Sequence, residues 1–191
     1  MKNWTLTNEE KVFKTPRMEG VKVSYIADDG ESFTHTIIKS MPSVAIIVRR
    51  EEDNKIAFIR QMRSTTGKYY MEIPAGLQNI GENSILDAAK REVREETGLL
   101  VKEVELLVKG PSLLDCSKSN EDFGVALATA YSKKSRILDA NEQIDEEIIW
   151  LSEEEVFARL RNQMTNGEPF FKDLYLSGHT VYALLSYQFL K

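Results

Sequence analysis

Residues 73–99 read IPAGLQNIGENSILDAAKREVREETGL. An apolar strand end at Ile73 meets Pro74-Ala75-Gly76, a turn-forming trio. A polar loop follows, then a helix that begins near Ser84 and stops at Gly98. Ser84 suits the N-cap, with Asp87 as its capping-box partner. Gly98 suits the C′ position, where a left-handed backbone is common. Leu86, Ala89 and Val93 share one face, as a core stripe should. Glu92, Glu95 and Glu96 share another, because residues three and four apart are neighbours on a helix. Carboxylates that close repel unless something neutralises them. A hard divalent cation, Mg2+ or Mn2+, takes such oxygen ligands together with substrate phosphates. A Glu cluster ordinarily means a solvated acidic face. The glycine turn, the cap and the adjacent Arg91 favour the metal instead.

The same stretch closely resembles the Nudix box. That signature runs Gly, five residues, Glu, seven residues, Arg-Glu, an apolar residue, any residue, Glu-Glu, any residue, Gly, apolar. Here it is met by Gly76, Glu82, Arg91-Glu92, Val93, Arg94, Glu95-Glu96, Thr97, Gly98 and Leu99. Eight residues rather than seven separate Glu82 from Arg91. The extra residue falls at Asn83-Ser84, before the helix, and leaves the Glu face in register. A match at this many points is far more specific than a lone glycine motif.

Composition narrows the class. A chain of 191 residues holds one domain with a full core and a small appendage. A net charge of −5 argues against a general nucleic-acid binder, which needs a basic face. The single cysteine, Cys116, precludes an intrachain disulfide and fits a reducing compartment. The N-terminal MKNWTLTNEEK lacks the apolar stretch of a secretory signal. No run approaches the roughly 20 apolar residues of a membrane helix. The cytoplasm is the expected compartment.

Working outward from the box, Val44 to Val48 is a continuous apolar run, a strand covered on both faces. Ile56 to Met62 is its return strand. Val21, Val23 and Tyr25 alternate with polar residues, Asp28-Asp29-Gly30 makes a hairpin turn, and Phe33 to Ile38 returns. Val101 to Val108 and Phe123 to Tyr131 read as further strands. Ser152 caps a helix to about Gln163, and Thr180 to Leu190 is the final helix. Strands and helices in this order predict an α+β fold. The resemblance implies an α/β/α sandwich, a mixed sheet between helices, over residues 41–191. It also implies that residues 1–40 form a small antiparallel β element that makes a homodimer.

The resemblance further implies metal-dependent hydrolysis of ADP-ribose or a related nucleoside diphosphate sugar to a nucleoside monophosphate and a sugar phosphate. GDP-mannose or another nucleotide sugar is the alternative substrate. A catalytically weak nucleotide-sensing module is the alternative of another class. Glu92 and Glu96 are then direct metal ligands, with the backbone carbonyl of Ala75, Glu95 is a further ligand or a water-orienting group, and Arg91 orients Glu92. Glu142 and Glu146, in an acidic loop, are both candidates for the general base. Arg63 is a candidate phosphate clamp, since its fork can bind two oxygens. Leu77, through its backbone, and Asp115 are candidate substrate contacts. The resemblance places His35, beside Thr36, where an adenine-stacking aromatic is expected, and no aromatic at the second such place, near Gly20. His179 falls in the first turn of the last helix, with no catalytic role expected.

Overall fold

The computed structural model describes residues 1–108, 115–132 and 147–191. The chain divides into two compact units, Met1–Pro42 with Pro111–Phe123, and Ser43–Gly110 with Gly124–Lys191.

The first unit is a three-stranded antiparallel sheet in the order β1 (Trp4–Lys14), β2 (Met18–Ala27), β3 (Ser32–Ser40). Gly30, at φ 87°, turns the β2–β3 hairpin, and its N–H donates to the Ala27 carbonyl at 3.0 Å. Trp4, Tyr25 and Phe33 cluster across the three strands, with ring centroids 5.0 and 5.4 Å apart. Residues 115–123 run alongside β3. There Ile38 donates to the Lys118 carbonyl at 2.7 Å, and its own carbonyl accepts from Asn120 at 3.1 Å.

The second unit holds a seven-stranded sheet in the order β10-β5-β4-β9-β8, with β6 on β5 and β7 on β4. The strands are β4 (Ser43–Arg50), β5 (Ile56–Arg63), β6 (Lys68–Glu72), β7 (Ala75–Leu77), β8 (Leu99–Val108), β9 (Phe123–Ser132) and β10 (Ile149–Leu151). Gly124 lies beside Ser43, and Glu51 donates to the Ala130 carbonyl at 2.9 Å, so β9 runs parallel to β4. The remaining described pairs are antiparallel, which makes the sheet mixed.

Helix α1 (Ile85–Thr97) lays Ala88, Ala89 and Val93 on Val44, Ile46 and Val48 of β4 and on the alanines of β9. Side chains alternate along a strand, so Ala45 and Ile47 face the other way. That side carries α3 (Gly178–Leu190), which packs on β4, and α2 (Glu153–Asn166), whose Phe157 stacks on Tyr187 of α3 at 6.3 Å. The result is the expected α/β/α sandwich. No described helix is long and apolar enough to cross a membrane.

The helix signals read as expected except at Asp87, whose carboxylate accepts from the Ser84 hydroxyl at 3.0 Å instead of from the Ser84 backbone N–H, so α1 has an N-cap without a full capping box. Ser84 Oγ accepts from Asp87 N–H at 3.3 Å, and Gly98, at φ 70°, donates to the Arg94 carbonyl at 3.0 Å. Helix α2 has a full capping box between Ser152 and Glu155. A second reading changes at the start of the box. Pro74-Ala75-Gly76 is not a turn: Ala75–Leu77 is a strand paired with Ser43, Val44 and Ala45. Pro74 tolerates this because it precedes the strand and only its carbonyl is engaged, by Ile46 N–H at 2.7 Å.

Candidate active site

The last two turns of α1 face β7, and three carboxylates stand there. Glu92 and Glu96 are almost completely buried, at 3% and 1% exposure, whereas Glu95 is at the rim. Burying a carboxylate costs on the order of several kcal/mol unless partners offset it. Glu96 Oε2 accepts from Ala75 N–H at 3.1 Å. Glu92 Oε1 accepts from Arg91 Nη1 at 2.5 Å and lies against Gly76 so closely that a Cβ there would overlap it. Gly76 does not have a positive φ. The glycine is therefore needed for the space it leaves, which a turn reading misses.

Arg91 ties the site together. Its guanidinium reaches Glu82 Oε1 at 2.8 Å, Glu92, Glu95 Oε2 at 2.8 Å and the Leu77 carbonyl at 2.8 Å. Burial opposes its charge, yet Glu82, Glu92 and Glu95 hold its pKa above the ordinary guanidinium value. The extra residue before α1 does not separate Glu82 from Arg91. Gly81 turns the loop at φ 98°, and Glu82 Oε2 accepts from Asn79 N–H at 2.7 Å. Burial pushes the Glu82 carboxyl up, but Arg91 and the Asn79 amide outweigh it and hold it below the usual carboxylate range.

Among the described residues, no three carboxylate, imidazole or thiol groups converge on one point as the side chains stand. Glu92 and Glu96 approach the same two-residue stretch of β7, while Arg91 draws Glu95 aside. An open cleft of about 510 Å3 runs along the neighbouring side of α1. It is lined by Lys90, Arg91, Arg94 and Glu95, and by Leu99, Leu100, Val101 and Tyr131.

Arg63, at the end of β5, binds Glu72 at the end of β6 through Nε at 2.8 Å and through Nη2. His179 Nε2 lies 3.1 Å from the same carboxylate. Burial raises the Glu72 pKa, but the hydrogen bonds to His179 and Arg63 more than compensate and leave it lowered. The sequence reading does not single out Glu72 and gives His179 no catalytic role. The available signal was an acid between two core residues, Met71 and Ile73, all three fully buried.

The first unit brings His35 and Asp115 to one residue. His35 Nε2 lies 3.1 Å from the Ser117 carbonyl, and Asp115 Oδ1 accepts from Ser117 N–H at 3.2 Å and from its hydroxyl at 2.5 Å. Those bonds, that of the Ser117 side chain foremost, lower the Asp115 pKa. Thr36 is exposed beside His35. The β1–β2 register pairs Phe13 with Gly20 and seats its ring where a Cβ would be, so an aromatic does lie beside Gly20. Glu142 and Glu146 lie outside the described residues.

The NUDIX domain family matches residues 39–174. The chain is 32% identical over 148 residues to the methanol dehydrogenase activator of Bacillus methanolicus, covering 72% of this chain and 76% of that protein. It is 33% identical over 142 residues to an ADP-ribose pyrophosphatase of Mycobacterium tuberculosis, covering 72% of this chain and 66% of that protein. A crystal structure of an ADP compounds hydrolase shares the fold, with a TM-score of 0.73 at 20% identity over 97% of this chain and 92% of that one. The family match spans the whole box and most of the sheet around it, so this chain belongs to the NUDIX domain family and is a Nudix hydrolase.

Proposed function

We propose that the chain hydrolyses the diphosphate of ADP-ribose or a related nucleoside diphosphate sugar, releasing a nucleoside monophosphate and a sugar phosphate. The observation that carries this reading is the pair of buried carboxylates, Glu92 and Glu96, set against β7. The two carboxylates converge on the same short stretch of β7, an arrangement suited to a bound cation. All the donors are hard oxygens, so the set fits Mg2+, with Mn2+ as a substitute. Glu92, Glu96 and the Ala75 carbonyl would hold the ion, and Glu95 would join by turning from Arg91. A bound divalent ion screens the diphosphate and acidifies a water. Arg91 keeps Glu92 oriented. Arg63 offers a partly exposed guanidinium to phosphate oxygens, and Lys90 and Arg94 add positive charge along the cleft. Glu142 or Glu146 takes the proton from the attacking water. The pyrophosphatase relative supports the substrate class.

The similarity to a dehydrogenase activator favours a second reading, a weakly catalytic nucleotide-sensing module. One experiment separates the two. Turnover of ADP-ribose, GDP-mannose and UDP-glucose is followed by mass spectrometry with Mg2+, for the wild type and Glu96→Gln. The substitution keeps shape and removes charge, so kcat/KM should fall at least ~100-fold. Near-normal turnover in the variant would remove this carboxylate site as the catalytic centre. No wild-type turnover of any substrate would favour the sensing module.

A further inference from the structure

We propose that His179 is a positioning residue of this hydrolase, acting through Glu72 to fix the guanidinium of Arg63; the functional part of this rests on the reading of Arg63 as a diphosphate ligand. The geometry starts from the sheet. Ile59 pairs with Glu72, and Arg63 stands four residues further along β5 on the same face, with the paired Gln61 and Tyr70 between. The Arg63 side chain therefore runs back along the sheet to reach Glu72. A long, flexible side chain laid out this way is held more firmly when the carboxylate it binds is itself fixed.

Glu72 is that anchor, and Arg63 alone does not hold it. Its carboxylate is fully buried, and one oxygen, Oε2, is shared between Arg63 Nη2 and His179 Nε2. An ionised carboxylate only accepts hydrogen bonds, so Nε2 carries the proton. Ser177 Oγ, 3.3 Å from the same nitrogen, donates onward to Thr180 at 3.0 Å and is left to accept from it. Thr180 Oγ1 in turn accepts from Ile73 N–H at 3.2 Å. Two consecutive residues of α3 thus grip two consecutive residues of the chain entering β7. Without His179, the second hydrogen bond to Oε2 is lost and the carboxylate is free to turn with Arg63.

The test uses the full chain with His179→Ala, His179→Met and His179→Gln. The Met variant keeps bulk without a donor, in case the Ala variant does not fold. The Gln variant keeps a donor. The first readout needs no activity. The Arg63 Nε–H signal, identified by its loss in Arg63→Lys, is followed by 15N NMR for exchange with water. Exchange should be about 10-fold faster in the Ala or Met variant and near wild type in the Gln variant. Unchanged exchange in a folded Ala or Met variant overturns the proposal. The second readout is kinetic. KM for ADP-ribose should rise about 10-fold with kcat within ~3-fold, and adding His179→Ala to Arg63→Ala should cost nothing more. Independent, multiplicative losses overturn the proposal. If Arg63→Ala leaves kcat/KM intact, it is the reading of Arg63 as a substrate ligand that fails, and the exchange measurement still decides whether His179 positions it.

Discussion

Gly76 shows how one atom can decide the site. Its backbone lies in a paired strand and needs no left-handed freedom. What it must lack is a Cβ, because the Glu92 carboxylate occupies that space. Gly76→Ala should therefore leave the sheet in place and push Glu92 away from its position between Arg91 and β7. A displacement of about an ångström at a reacting centre costs on the order of 100-fold in rate, so kcat/KM should fall by about that factor. Circular dichroism should still report a folded protein. A variant within ~3-fold of wild type would mean that Glu92 tolerates displacement and that its placement is not what the chemistry uses. Arg91 belongs to the same argument. It spreads one charge over Glu82, Glu92, Glu95 and the Leu77 carbonyl, so displacing Glu92 also alters what holds Glu95.

At the scale of elements, α1 is the most self-contained piece. Gly98 ends it at φ 70°, and a side chain there pays a steric cost of about 1 kcal/mol. Gly98→Ala should lower Tm by roughly 2–4 °C, read by calorimetry, and an unchanged Tm would show that the cap relaxes without strain. Such local signals explain what was legible in the sequence. Ser84, Gly98, Ser152 and the Glu face of α1 are set by residues within a turn of each other, and the structure has all of them. Strand β7 was not legible, because Pro74-Ala75-Gly76 has turn composition and only the neighbouring β4 makes it a strand. The grip of α3 on the chain entering β7 was not legible either. Ile73 and Thr180 are 107 residues apart, and no periodicity connects residues at that distance. Glu82 meeting Arg91 despite the longer spacing depends on the path of a loop, which residue counting does not trace.

At the scale of the molecule, the first unit has an exposed margin. Strand β1 is exposed along its whole length and, among the described residues, pairs with β2 alone. It nonetheless carries Trp4, Leu6, Val12 and Phe13, exposed at 39, 47, 58 and 43%. An unpaired edge strand is a template for another chain, and proteins that remain monomeric protect such an edge with charges, prolines or short length. Lys11 and Lys14 supply charge, but both are paired with Glu19. Apolar residues on an open edge are better explained by a partner, and a second copy of the same strand offers the same surface in return. We therefore expect a two-fold homodimer formed through residues 1–40. Light scattering at micromolar concentration should give about twice the 21.8 kDa chain mass. Leu6→Lys combined with Val12→Lys places like charges across that contact and should return the chain mass without unfolding the second unit, whose core lies in other residues. A wild type that scatters as a monomer at this concentration would refute the dimer. A dimer that survives both lysines would move the contact away from β1.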